Sequence, residues 1–146
     1  MHYQIAIGSI LMILTVIVHA GFTRAATEAF AGSHTERWHL QTRWGQVIAI
    51  ATLVLMMFFA ALLEASIWAG TYMALGAISS LEEALYFSIV TFTTLGYGDI
   101  TLHVSWRLLA SFEAANGSIM FGWTTALIVA LVHTAFNPTR AADPRD

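Results

Sequence analysis

Residues 93–99 read TTLGYGD, and this stretch lies between two long apolar segments. Gly96 and Gly98 stand at alternate positions within it. Glycine enters the left-handed backbone region without a Cβ penalty, so this spacing predicts a loop in which right- and left-handed residues alternate. In such a loop successive carbonyl groups point the same way, and their oxygens can replace the water around a monovalent cation.

The residues directly before this loop strengthen the interpretation. They read ALYFSIVTF at positions 84–92. Together the two stretches resemble the pore helix and selectivity filter of the potassium-channel superfamily, whose filter is a Thr-x-Gly-Tyr-Gly loop. The resemblance extends over roughly residues 45–135. It implies a homotetramer around a central pore, with potassium ions as the permeant ligand, no other cofactor and no catalytic residues.

The resemblance also implies roles for the residues of the loop. The backbone carbonyls that would coordinate K⁺ belong to Thr94, Leu95, Gly96 and Tyr97. The Thr94 hydroxyl would add one more oxygen, and Gly98 would complete the filter. Asp99 would lie at the outer mouth of the pore, and Thr93 would support the filter at the end of the pore helix.

Two positions depart from the pattern of the family. Leu95 stands where valine or isoleucine is commoner, and Val90 stands where some members carry a glutamate that pairs with the aspartate at the mouth. Asp99 therefore needs another partner. Tyr86 is the candidate, because the matching position in relatives is often a hydrogen-bonding tryptophan.

Composition indicates a membrane protein. The chain has 146 residues, of which 58% are hydrophobic and 10% charged, whereas soluble domains carry about 25% charged residues. The net charge of −3 does not suggest a nucleic-acid partner. The chain has no cysteine, which excludes disulfides.

The pattern of hydropathy predicts an all-α membrane protein in which three helices span the bilayer. An N-terminal helix is expected at 1–22, and its flanks do not resemble those of a cleaved signal peptide. A cytoplasmic segment at 23–46 is either an interfacial helix or a plain loop. The pore module at 47–136 comprises an outer helix (47–68), a re-entrant pore helix (80–92), the filter (93–99) and an inner helix (106–136), and a cytoplasmic tail follows at 137–146.

The orientation in the membrane follows from the arginines. Five of the six cationic residues lie either between the first two spans or in the tail: Arg24, Arg37, Arg43, Arg140 and Arg145. The positive-inside rule therefore predicts an outside N-terminus and a cytoplasmic C-terminus. The small size of the channel suggests a prokaryotic plasma membrane. At the outer interface, Trp68 and Trp106 are expected to act as aromatic anchors.

The pore helix carries a start signal. Ser79 and Ser80 each stand three residues before a glutamate, Glu82 and Glu83 respectively. Either pair is a capping box that satisfies free amides at the first turn. The opposite, negative end of the helix dipole then points towards the filter.

The inner helix carries four candidate residues for the cavity or for gating. Glu113 either braces the filter or faces the cavity and concentrates cations, and alternatively it makes a structural hydrogen bond. Asn116 lies near the same helix face. Gly117 and Gly122 are each either a hinge or a site of close packing.

Three readings of function compete with potassium-selective conduction. One is a weakly selective monovalent cation channel. Another is a membrane cofactor protein that uses the six histidines as haem or metal ligands, and a third is an accessory subunit. Of the histidines, His19 is the one well inside a predicted span. With no partner visible in the sequence, it is expected to be an isolated interfacial residue, and proton sensing is the alternative.

Overall fold

The computed structural model describes residues 2–30 and 42–136. Within these ranges every regular element is helical. The helices are α1 (His2–Phe30), α2 (Arg43–Ala74), α3 (Leu81–Phe92) and α4 (Arg107–Phe136), with a short 3-10 turn at Val104–Trp106 before α4. α1, α2 and α4 are long and apolar enough to cross a membrane. The described part of the chain thus confirms the all-α fold with three spans.

The described parts of segment 23–46 belong to the flanking helices. α1 continues to Phe30, and Arg24 and Glu28 form an exposed pair one turn apart in this extension, with Nε and Oε1 separated by 2.7 Å. α2 begins at Arg43, where the Thr42 side chain caps the helix by accepting from the Gly45 amide. Residues 23–30 therefore continue α1 and form neither a separate interfacial helix nor a loop, while residues 31–41 lie outside the described part of the chain.

α2 extends past its predicted end, and one face of its outer half is buried. Glu64, Trp68 and Tyr72 are one turn apart, so they share a helix face, and all three are fully buried. The expected role of Trp68 as an exposed aromatic anchor is wrong, because its side chain is buried. Its ring packs against Tyr72 with centroids 6.4 Å apart, because this face of α2 meets the rest of the chain and not the lipid.

The N-terminal helix packs against two helices of its own chain, α2 and α4, while α3 lies against the same two helices. Two apolar clusters fill the bundle. The upper core, nearer the TTLGYGD loop, contains Leu11 of α1, Trp68 and Tyr72 of α2, Phe87 and Phe92 of α3, and Leu109 and Met120 of α4. The lower core contains Ala26 of α1, Leu53 and Met57 of α2, and Leu131 of α4.

Candidate functional site

The short helix α3 aims its C-terminus at the TTLGYGD loop. It begins after Ser80, whose side chain accepts from the Glu83 amide at 3.5 Å. Glu82 and Glu83 lie in the first turn, where negative charge complements the helix dipole. The Ser80 half of the predicted capping box is confirmed, and the opposite end of the dipole, at Phe92, faces the loop.

The first residues of the loop are tied to the last turn of α3. The Thr93 amide donates to Ile89 O at 3.0 Å, and the Thr93 hydroxyl donates to the same oxygen at 2.7 Å. The amides of Thr94 and Gly96 donate to the carbonyls of Thr91 and Val90, at 2.9 and 3.2 Å. Carbonyls that a helix end leaves free are thereby satisfied, and the start of the loop is fixed.

Left-handed residues alternate along the loop. φ is +62° at Thr94, +53° at Gly96 and +79° at Gly98. The alternation predicted from the two glycines is confirmed, and it includes Thr94 as well. Thr94 is the one non-glycine residue with positive φ in the described part of the chain. An alternating backbone of this kind can present a column of carbonyl oxygens on one side.

The whole loop from Thr94 to Asp99 is exposed in the single chain. Leu95 is 59% exposed and Tyr97 is 68% exposed. The single chain therefore leaves these two large side chains of the loop without cover.

Asp99 is held from two sides. The Tyr86 hydroxyl donates to Asp99 Oδ2 at 2.6 Å, and the Ile100 amide donates to Oδ1 at 3.0 Å. The hydrogen bond from Tyr86 lowers the pKa of Asp99 below its ordinary value. Tyr86 is thus the partner that the sequence suggested. Behind the loop, Val90 is among the residues that line a pocket of about 300 Å³.

A family model described as "Ion channel" matches residues 47–133, more than half of the chain. The chain belongs to this family of ion channels. No curated protein and no solved structure shows significant similarity to it. The match covers nearly all of α2, the whole of α3 and the loop, and α4 as far as His133. The N-terminal helix of the channel lies outside it.

Glu113 and Asn116 point into the helix bundle of their own subunit. Glu113 Oε2 accepts from the Tyr72 hydroxyl of α2 at 2.7 Å, and Asn116 Nδ2 donates to Thr15 Oγ1 of α1 at the same distance. Both residues are fully buried. The prediction that Glu113 or Asn116 lines the cavity is wrong, because a residue that faces a central pore would be exposed in the single chain.

Ser88 of α3 adds a third helix to the Glu113 contact. Its hydroxyl faces the same carboxyl without reaching hydrogen-bond geometry. Glu113 therefore lies where α2, α3 and α4 meet. This position suits a residue that positions α3 from behind.

The two glycines of α4 have different surroundings. A Cβ on Gly117 would collide with the backbone carbonyl of Phe92 at the end of α3, whereas a Cβ on Gly122 would meet nothing within 4 Å. Gly117 therefore allows close packing of the inner helix against the pore helix. Gly122 has the free space that a bend in the helix needs.

A further buried set was missed by the sequence analysis. His19 Nδ1 lies 2.9 Å from Glu64 Oε1, and His19 Nε2 lies 3.3 Å from Thr124 Oγ1. His19 is 1% exposed, so its expected role as an isolated interfacial histidine is wrong. Glu64, which lies within the predicted outer helix but was not among the candidate residues, is fully buried as well.

A polar stripe along α1 could have revealed this set. The buried residues of α1 include Gln4, Gly8, Thr15 and His19, which recur at helical spacing in a helix that is otherwise apolar. A polar stripe of this kind indicates a face buried against protein and not against lipid. Within residues 2–30 and 42–136, no group of three His, Cys, Asp or Glu side chains is placed to hold a metal ion.

Proposed function

We propose that the protein is a potassium-selective channel that conducts K⁺ passively through a homotetrameric pore. The observation that carries this proposal is the alternation of positive φ at Thr94, Gly96 and Gly98 within TTLGYGD. The membership of the ion-channel family supports conduction. The ion and the number of subunits are inferred from the loop.

In this proposal the backbone of the loop replaces the hydration shell of the ion. The carbonyls of Thr94, Leu95, Gly96 and Tyr97 form successive rings when four chains surround one axis. The negative end of α3 adds favourable potential for a cation at the inner end of the loop. Asp99 adds a carboxylate at the outer mouth, held in place by Tyr86.

The exposure of Leu95 and Tyr97 supports assembly into an oligomer. Large apolar side chains that are 59% and 68% exposed beside a polar backbone column are covered when neighbouring subunits pack around the loop. A closed ring of identical subunits also supplies the remaining walls of the pore.

We infer the orientation from the distribution of charge. The arginines near the junction of α1 and α2 favour a cytoplasmic position for that junction. The N-terminal end of α1 then lies outside, and α4 runs towards the cytoplasmic side. This orientation fits a prokaryotic plasma membrane, with the Asp99 end of the loop facing outward.

Ion flux out of liposomes tests conduction and selectivity together. The purified protein is reconstituted into liposomes loaded with K⁺, and in a second experiment with Na⁺, so that the gradient is directed outward, and empty liposomes serve as the control. We expect rapid K⁺ flux and little Na⁺ flux. Equal fluxes would instead identify a weakly selective cation channel, and no flux of either ion would contradict conduction. The mass of the detergent-solubilised complex checks for four subunits.

A matched pair of glycine variants tests the role of the loop. Gly96→Ala and Gly76→Ala each place a Cβ on a residue with positive φ, +53° and +65°, with nothing within 4 Å. Each adds about 1 kcal/mol of backbone strain. We expect Gly96→Ala to abolish selective K⁺ flux and Gly76→Ala, in the connection between α2 and α3, to retain it. Equal effects of the two would show that strain alone, and not the carbonyl column, is responsible.

A further inference from the structure

A buried polar layer joins the N-terminal helix to both long helices of the pore module. His19 of α1 contacts Glu64 of α2 at 2.9 Å through Nδ1 and Thr124 of α4 at 3.3 Å through Nε2. The Trp123 ring of α4 lies against the imidazole, with centroids 5.2 Å apart. One histidine thus connects three helices inside the bundle.

This layer separates the two apolar cores. Along α1, His19 lies between Leu11 of the upper core and Ala26 of the lower core. Along α2, Glu64 follows Met57 of the lower core and precedes Trp68 of the upper core. Along α4, Thr124 likewise lies between Met120 and Leu131. The polar contacts of His19 therefore lie at the boundary between the two apolar cores.

The upper half of α4 is anchored at several points. Glu113 bonds to Tyr72, Asn116 bonds to Thr15, and Gly117 packs directly against the carbonyl of Phe92. Below these contacts comes Gly122, which has free space around it. Thr124 follows two residues later, in a helix that runs without interruption from Arg107 to Phe136. A bend at Gly122 would carry the lower half of α4 away from α1 and break the contact between Thr124 and His19.

The charge state of the layer depends on protons. A histidine and a carboxylate that share one proton are neutral together, which suits an apolar interior. A second proton converts the carboxylate into a neutral acid, which is a weaker acceptor, and leaves a net positive charge among apolar side chains, which is costly. Protonation therefore weakens the attachment of His19 to Glu64.

The other charged groups nearby are engaged elsewhere or distant. On α1, Arg24 and Glu28 pair with each other at the surface. On α4, Glu113 bonds to Tyr72 about three turns from Thr124, and His133 is exposed towards the other end. On α2, Arg43 lies at the far end of the helix and is exposed. On α3, the charged residues are Glu82 and Glu83, in its first turn. In the described part of the chain, Glu64 is the charged group that contacts His19.

We propose that His19, Glu64 and Thr124 form a proton-sensitive latch through which α1 restrains the inner helix. With the latch closed, α4 stays unbent and the pore is mostly shut. Acidification opens the latch, frees α4 to bend at Gly122 and raises the open probability. This regulation rests on the proposed conduction function, and it uses a helix that lies outside the family match at residues 47–133.

Single-channel recording of the full chain in planar bilayers tests the latch. Open probability is measured at neutral pH and after mild acidification on both sides. We expect acidification to raise the open probability of the unmodified channel roughly tenfold, the scale of losing one buried hydrogen bond to a charged group. The open probability should already be raised at neutral pH in His19→Gln and in Glu64→Gln, and acid should not raise it further in either variant.

Two more variants separate the latch from general damage. Thr124→Val keeps the His19–Glu64 pair and removes its contact with α4, so it should raise the open probability at neutral pH as well. His133→Gln removes a histidine from the same helix away from the latch and should behave like the unmodified channel. The proposal is overturned if Thr124→Val leaves open probability unchanged, or if the His19 and Glu64 variants retain the full response to acid.

A spectroscopic measurement decides the latch without relying on conduction. The chain has no cysteine, so a single spin label can be placed at Val129→Cys below Gly122 or at Ser111→Cys above it, both exposed positions. Acidification should lengthen the distance between the labels at position 129 of two different subunits. The corresponding distance between the labels at position 111 should not change. Adding His19→Gln should abolish the change. Absence of current would contradict the proposed function, whereas unchanged distances at 129 would contradict the latch.

Discussion

Thr94 holds a conformation that threonine rarely adopts. Its φ of +62° lies in the left-handed region, which is unfavourable for a β-branched residue because Cβ crowds the backbone. The hydrogen bond from its amide to Thr91 O helps to hold it there. A strained residue that persists beside a functional loop points to a functional requirement. Here the requirement is that three alternate residues share one handedness.

Tyr86→Phe should weaken the outer mouth of the pore. It removes the hydrogen bond to Asp99 Oδ2, so the pKa of Asp99 should rise towards its ordinary value. A carboxylate whose pKa is depressed in the folded state contributes stability that is lost as the pH falls through that pKa. We therefore expect shorter open-state lifetimes and an acid block from outside that sets in at higher pH.

The matched control for this change is Tyr3→Phe. Tyr3 is also about half exposed and lies on α1, where its ring packs against Trp106 with centroids 5.9 Å apart. Loss of its hydroxyl should leave both the open lifetime and the acid block unchanged. Identical acid block in Tyr86→Phe and in the unmodified channel would refute the role of Tyr86 at Asp99.

At the scale of elements, α4 approaches the end of α3 closely. The approach occurs at Gly117, against the carbonyl of Phe92. The same stretch of α4 contacts α2 through Glu113 and α1 through Asn116. The upper part of α4 therefore supports α3 from behind, and the position of the loop depends on this packing.

Gly117→Ala and Gly122→Ala should have opposite effects. The new Cβ at 117 meets backbone, which cannot move aside as a side chain would, so we expect a loss of about 1–3 kcal/mol of stability and of K⁺ flux. At 122 the Cβ meets nothing, so alanine should stabilise the helix by up to about 1 kcal/mol and lower the open probability. Thermal unfolding of the assembled protein and single-channel recording give the two readouts. Equal stability of both variants would contradict the close-packing role of Gly117.

At the scale of the whole molecule, α1 is part of the subunit's interior. Three of its buried polar side chains meet a partner on another element: Gln4 donates to Ser105 O, Thr15 accepts from Asn116, and His19 contacts Glu64. Gly8 packs against the Phe112 ring. Four contacts distributed along one helix bind α1 to the pore module over most of its length.

Removal of α1 should therefore destabilise the channel. A chain that begins at residue 42 would expose Glu64 and Asn116 to lipid, and an unpaired carboxylate at the bilayer centre costs about 3 kcal/mol on the insertion scale. We expect a low yield of assembled protein. The same truncation with Glu64→Leu and Asn116→Leu should recover assembly, measured by size-exclusion chromatography in detergent. Full assembly of the plain truncation would contradict an integral role for α1.

Local signals predicted the elements around the loop well. Helix α3 and its Ser80 cap follow from a start signal and an apolar run, and the alternation at Gly96 and Gly98 follows from the freedom of glycine. Tyr86 could be named as the partner of Asp99 because its position matches that of a hydrogen-bonding tryptophan in the family that the sequence resembles. The ends of α1 and α2 were less predictable, because hydropathy locates the apolar run and not the helical turns that continue beyond it, to Phe30 in α1 and to Ala74 in α2.

The sequence by itself determined that this chain is helical, that it crosses a membrane and that it carries a loop able to line its carbonyls up. Each of these properties depends on residues close together in the chain. Only the tertiary structure decided that Glu113 and Asn116 turn inward and that His19 meets Glu64, 45 residues away. The physical reason is that the pairing of a buried polar group depends on which helix faces bury each other, and no local pattern contains that information.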